Sequence, residues 1–236
     1  MTTDIFLRTY HGDVGWLKYF LRSVQKYCSG VRKVIITIPD DQVDSLKPLN
    51  LTSEVVIPVK GYKNDYLGQQ ITKLQCFMHS DADMFLMCDS DNVYFQPFSP
   101  ESYMRDGKPI FMMTPYEQVG NAQCWKPITE KAVGFEVQYE YMRRLPALFH
   151  RSSFEEIWNH LKQTLGDPEH YISTRPNREF SEYNCLGAYI HKFCADQYHL
   201  LDTSKDPLPE KFCEQFWSWG GITPEVKEHL EKFLYS

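Results

Sequence analysis

Apolar and polar positions along this chain follow two periods in turn. Short apolar runs at Ile5-Phe6-Leu7, Val34-Ile35-Ile36-Thr37-Ile38, Val55-Val56-Ile57-Pro58-Val59, Met84-Phe85-Leu86-Met87-Cys88 and Pro109 to Thr114 predict strands. Where no charge interrupts a run, the strand is expected to be buried on both faces. Between the runs, apolar residues recur every three or four positions. Val14, Leu17, Leu21, Val24 and Cys28 form one helical stripe with Asp13 as its cap, and Leu67, Ile71, Leu74 and Met78 form another in a helix from Tyr66 to about His79. Strand and helix in alternation is the pattern of a parallel sheet wound with crossover helices. The expected fold is therefore α/β, a single Rossmann-like domain with a mixed, mostly parallel central sheet. Pro58 places the third strand near a sheet edge, because proline cannot donate to a ladder.

The second half is less regular. Tyr116 to Trp125 is polar and aromatic without a clear period, Thr129 to Gly134 reads as a short helix, and Phe135 to Arg144 resists assignment. Ser152 to Glu155 reads as a capping box opening a helix whose buried face is Phe154, Ile157, Trp158, Leu161 and Leu165, ended by Gly166 and Pro168. Asp167 to Asn177 reads as a loop. A further helix starts near Ser181 with Tyr183, Leu186, Ile190 and Phe193 as its stripe, Tyr198 to Asp202 is a late strand, and Phe212 to Ile222 is an aromatic loop. Thr223-Pro224 opens a final helix, with cap and first-turn proline in the usual order.

Composition narrows the possibilities. A chain of 236 residues that is 42% hydrophobic can bury one substantial core, so one domain over 1–236 is expected. A net charge of −6 argues against nucleic acid as a partner, which would call for a basic stripe. The seven cysteines are odd in number and scattered, the pattern of free thiols in a reducing compartment, which points to the cytoplasm. No apolar run approaches membrane-spanning length, so no transmembrane segment is expected. Walker, Gly-x-Gly-x-x-Gly, Gly-x-Ser-x-Gly and His-Glu-x-x-His motifs are all missing, and His191 with Cys194 has no second pair to make a zinc site.

The candidate chemistry lies where the uncharged Met84–Cys88 run meets Asp89-Ser90-Asp91. In extended backbone, alternation would put Asp89 and Asp91 on one side, and two hard oxygen ligands at a strand end suit Mn²⁺ or Mg²⁺ with positions left for substrate oxygens. The simpler alternative is a polar turn between two strands. Lys73, on the preceding helix, is either a phosphate contact or a surface lysine. Glu182, in the first turn of its helix, is either a residue favoured by the helix dipole or a carboxylate aimed into a cleft.

An Asp-x-Asp closing a buried strand midway through such an α/β half resembles the nucleotide-sugar-dependent glycosyltransferases of the GT-A fold. Gln69-Gln70-Ile71-Thr72-Lys73-Leu74, Tyr141-Met142-Arg143-Arg144, and Phe180-Ser181-Glu182-Tyr183 with Gly187 and Tyr189 extend the likeness. In this order they resemble a poorly characterised glycosyltransferase-like family of bacterial and phage proteins, from about Ile5 to the Trp217–Gly221 segment. The resemblance implies a nucleotide-binding half over 1–96 and an acceptor-side half over 97–236. It implies Asp91 as direct metal ligand, Asp89 on the ribose or on the metal through water, and His199 as a further ligand. Arg8, Thr9 and Tyr10 would meet base and ribose, Lys73 the phosphates or ribose with Gln70 in support, and Glu182 would take the proton from an acceptor hydroxyl. The expected partners are a nucleoside-diphosphate sugar donor and a glycan or other hydroxyl acceptor. A haloacid-dehalogenase-like phosphatase with Thr114 in its second motif, and a non-catalytic sugar-binding module, are the alternatives.

Overall fold

The apolar runs of the first half become strands, and the stripes between them become the helices that cross back. This computed structural model describes residues 1–142 and 146–235, so Arg143 and Arg144 lie outside the described residues. The first part runs β1 (Thr3–Arg8), α1 (Val14–Tyr27), β2 (Lys33–Pro39), β3 (Val55–Val59), α2 (Asp65–Leu74), β4 (Met84–Asp89), β5 (Asn92–Tyr94), β6 (Met104–Arg105) and β7 (Lys108–Pro115). There follow α3 (Trp125–Val133), β8 (Tyr139–Glu140), β9 (Ala147–His150), α4 (Arg151–Leu165), α5 (Pro168–Ser173), α6 (Glu182–Phe193), β10 (His199–Asp202), β11 (Cys213–Gln215) and α7 (Pro224–Tyr235).

The central sheet has the order β3-β2-β1-β4-β9. Its first four strands are parallel, and β9, from the later part of the chain, closes the sheet antiparallel to β4. Side chains alternate between two cores. Ile5, Leu7 and Ile36 pack on one face with Leu17 and Phe20 of α1, while Phe6, Ile35 and Phe85 pack on the other with Leu67, Ile71 and Leu74 of α2. Because α1 and α2 cover opposite faces, the winding reverses between β1 and β4. The carboxyl ends of those two strands flank the crevice where open α/β sheets bind ligands. Two smaller pairings complete the fold: β10-β7-β6, with β8 on β7, and an antiparallel β11-β5. As expected from Pro58, β3 lies at the edge.

Local signals were overridden in several places. The carboxylate of Asp13 does not cap α1; it accepts from Ser90 Oγ at 2.9 Å. There is no capping box at Ser152, because β9 ends at His150 and α4 begins directly at Arg151, whose N–H donates to the Asp83 carbonyl at 2.9 Å. The expected loop after Gly166 holds α5. Asp167 Oδ1 accepts from His170 N–H at 3.0 Å, so Pro168 serves as the first residue of one helix besides ending another. The second helix stops at Leu74 and continues as a short 3₁₀ turn, leaving Met78 55% exposed. The third helix begins at Trp125, earlier than its sequence pattern suggested, and part of the aromatic loop after Phe212 is β11. Among the described residues no helix is long and apolar enough to cross a membrane.

Candidate functional site

Arg8 and Asp89 end β1 and β4 as register partners, on the face that α2 covers. Extended backbone stops there: Ser90 and Asp91 form a turn, so strand alternation does not align the two aspartates. The turn is pinned from within, with Asn92 Oδ1 accepting from Asp89 N–H at 2.8 Å. It is also pinned by a segment more than a hundred residues further along the chain. Ser218 N–H donates to Asp91 Oδ2 at 2.7 Å, Phe216 N–H to the Asp91 carbonyl at 3.1 Å, and Gln215 Nε2 to Asp89 Oδ2 at 3.3 Å.

Asp91 Oδ1 is buried and has no hydrogen-bond partner. Burial, then the charges of Asp89 and Asp13, push its carboxyl up to about 6. Burial also raises the Asp13 carboxyl, with Asp89 adding to the rise. Negative charge is thus crowded at the crevice and only partly compensated.

Beside the turn lies an open cleft of about 530 Å³. Lys73 is buried in its floor, with Nζ 2.7 Å from Asp89 Oδ1, 3.5 Å from Glu182 Oε1 and 5.0 Å over the Tyr183 ring. Burial disfavours the ammonium, but Asp89, Tyr183 and Glu182 outweigh it and hold the Lys73 pKa well above its usual value. Glu182 opens α6 behind the Ser181 cap, and its own N–H donates to Gln70 Oε1 at 3.2 Å. Burial raises the Glu182 carboxyl against the pull of Lys73. Tyr66, Trp125, Met142, Arg178 and Trp217 line the cleft, and Gln69, Asn121, Asn177 and Gln215 add side-chain amides.

Of the residues expected from sequence, Gln70, Lys73, Asp89 and Glu182 meet at this cleft, and Asp91 sits at its acidic edge under the 215–218 segment. Arg8 and Thr9 are buried and do not line it. The Arg8 guanidinium grips Asp65, with Nη1 2.7 Å from Oδ2, and Arg8 Nε and Thr9 Oγ1 have no partner. Tyr10 is on the surface beside them. His199 stands apart from this group: it lies on β10 in another sheet, with Nε2 3.3 Å from Arg105 Nη1. Among the described residues no three of His, Cys, Asp or Glu are grouped to hold a metal ion. Sequence reasoning missed Asp13, Gln215 and Ser218. Asp13 carried only a capping signal, and nothing in the 215–218 segment marks it as a neighbour of the acidic turn.

A family profile covers residues 2–209, nearly the whole chain. The chain belongs to DUF6492, a family of unknown function. No curated protein matches the chain. Within this DUF6492 chain, the matched span includes the acidic turn, Lys73 and Glu182, while Gln215, Trp217 and Ser218 lie beyond it.

Proposed function

We propose that this chain is a divalent-metal-dependent glycosyltransferase that moves a sugar from a nucleoside-diphosphate donor to an acceptor hydroxyl. The observation that carries the reading is the buried, partnerless Asp91 Oδ1 in an acidic turn at the carboxyl end of β4, beside the point where the sheet's winding reverses. The donor set fits Mn²⁺ or Mg²⁺ as these ions are bound beside phosphates, through one or two carboxylates with substrate and water oxygens completing the shell. Asp91 would hold the ion and Asp89 would assist. His199 has no part in this reading, because its ring is engaged with Arg105 on another sheet.

When bound, such an ion neutralises charge on a departing diphosphate. The protein's own groups do the rest. Lys73, already charged, offers an ammonium to phosphate or ribose oxygens at the cleft floor. The surface phenol of Tyr10 would meet the nucleoside at the end of β1, with the buried Arg8 and Thr9 supporting it from beneath, Arg8 through its grip on Asp65. Glu182, its proton affinity raised by burial, takes the proton from the acceptor hydroxyl as that oxygen attacks the anomeric carbon, which inverts its stereochemistry. Gln70 holds the start of α6, and with it Glu182, in place. Seven cysteines without a disulfide agree with a reducing, cytoplasmic setting.

Thermal melting with nucleoside diphosphates, with and without Mn²⁺, tests the proposal. The parent should gain stability only with both present, since a ligand of the native state raises the midpoint. Asp91→Ala should lose that gain, whereas Glu182→Gln should keep it and lose sugar transfer. An Asp91→Ala protein that responds like the parent would refute the reading.

A further inference from the structure

Trp217 stands out on two independent grounds. Its indole is 61% exposed although it lines the cleft, and its backbone has φ +55°, a left-handed conformation that bulky residues rarely adopt. That conformation is enforced from both sides: Phe216 N–H and Ser218 N–H are held by Asp91, and Gly220 N–H donates to the Trp217 carbonyl at 3.1 Å. Strain of this kind persists where surrounding structure dictates it, and it gathers at ligand sites. Here it results in a large flat apolar ring kept in water at the cleft wall, attached to the same segment that binds the acidic turn.

The rest of the lining shows what such a ring would serve. Gln69, Asn121, Asn177 and Gln215 bring four side-chain amides into one cleft. Asn177 Oδ1 accepts from Asn64 Nδ2 and Gln215 Nε2 donates to Asp89, which leaves the Asn177 amide N–H groups and the Gln215 carbonyl oxygen to meet a ligand. The charged groups of the lining balance, Lys73 and Arg178 against Asp89 and Glu182. A lining without net charge and rich in amides, beside an exposed aromatic face, suits a ligand with an apolar C–H face and a rim of hydroxyls. A lipid chain would meet unsatisfied amides, and an acidic peptide would meet the carboxylates of the floor.

We infer that the acceptor is a neutral saccharide, with one sugar ring lying on the Trp217 indole and its hydroxyls read by the amides of Gln69, Asn121, Asn177 and Gln215. The acceptor role rests on the glycosyltransferase reading above; the saccharide site itself does not. Trp219, 86% exposed two residues further on, does not line the cleft and is the natural control.

The test uses the full chain on an array of neutral glycans, with saturation-transfer NMR on maltose, cellobiose, lactose and N,N′-diacetylchitobiose, without donor or metal. At least one glycan should bind and receive saturation on its ring C–H protons. Trp217→Ala should weaken binding by about tenfold or more, Trp217→Tyr should retain most of it, and Trp219→Ala should match the parent. Trp217→Ala should also keep the parent's melting temperature and its Mn²⁺-dependent nucleoside-diphosphate binding, which separates a lost platform from a lost fold. The inference is overturned if no neutral glycan binds a protein that does bind nucleoside diphosphate, or if Trp217→Ala binds glycan as the parent does. Glycan binding that needs Trp217, in a protein that never binds nucleoside diphosphate, would sink the transferase reading and leave the saccharide site standing.

Discussion

At the floor of the cleft the buried Lys73 faces two carboxylates, the buried Glu182 and the partly exposed Asp89. Removing one partner of a buried ionic group leaves the rest uncompensated, at about 3 to 5 kcal/mol. Lys73→Met should therefore destabilise the protein strongly, and adding Glu182→Gln should restore part of the loss in urea denaturation. If the double variant is as unstable as the single one, the ionic account of Lys73 is wrong. Asp91 is the opposite case. Its carboxyl titrates at about 6 in the folded protein and at about 4 in an unfolded chain. Between those values the folded state holds the extra proton, so stability falls as pH rises from about 4 to about 6 and stays reduced above. In metal-free protein Asp91→Asn should accordingly be more stable than the parent at pH 7.5, by about 2 to 3 kcal/mol, with the gap closing near pH 4. Denaturation curves at the two pH values check this, and a parent that is the more stable one at pH 7.5 would contradict it. The chemical identity of these residues was legible in the sequence; their charge balance was not, since it depends on burial.

Elements show which local signals governed. Ser181, where the sequence pattern only started a helix, does cap α6, with Oγ accepting from Asn184 N–H, whereas Ser152, in the expected capping box, caps nothing. Ser181→Ala should cost about 1 kcal/mol and Ser152→Ala clearly less than that, a contrast that thermal unfolding will resolve. Equal costs would mean that the serine at the start of α4 does cap it. Gly187 marks another local choice. A Cβ there would lie 2.3 Å from Tyr141 Cγ and 2.9 Å from the Phe111 ring, so α6 approaches β7 and the chain around Tyr141 only because that position is bare. Gly187→Ala should destabilise by about 1 to 3 kcal/mol despite better helix propensity. A neutral or stabilising result would show that Tyr141 can move aside. Strands and long helices were readable because period and burial agree along one segment. The failures at Asp13 and Ser152 share a cause: each signal was sound locally, but the side chain or backbone was drawn into contact with a distant part of the chain.

For the whole molecule, the segment from 210 onward is the decisive addition. It lies beyond the family match, supplies β11 to β5, roofs Asp91, and packs Leu230 with Trp16 and Val93. Removing residues 210–236 should leave the central sheet folded but lower the melting temperature and expose apolar surface to a reporter dye, since Trp16 and Val93 lose their cover. An unchanged midpoint would show that the segment adds nothing to stability. The sequence by itself determined the α/β class, the edge position of β3 and the presence of two acids directly after a greasy strand, because these follow from patterning within single segments. Only the tertiary structure decided that the turn answers to residues 215–218, that Lys73 is matched by two acids, and that His199 stands in another sheet. Those outcomes depend on contacts between residues far apart in the chain, and side-chain periodicity carries no information about which distant surfaces will meet.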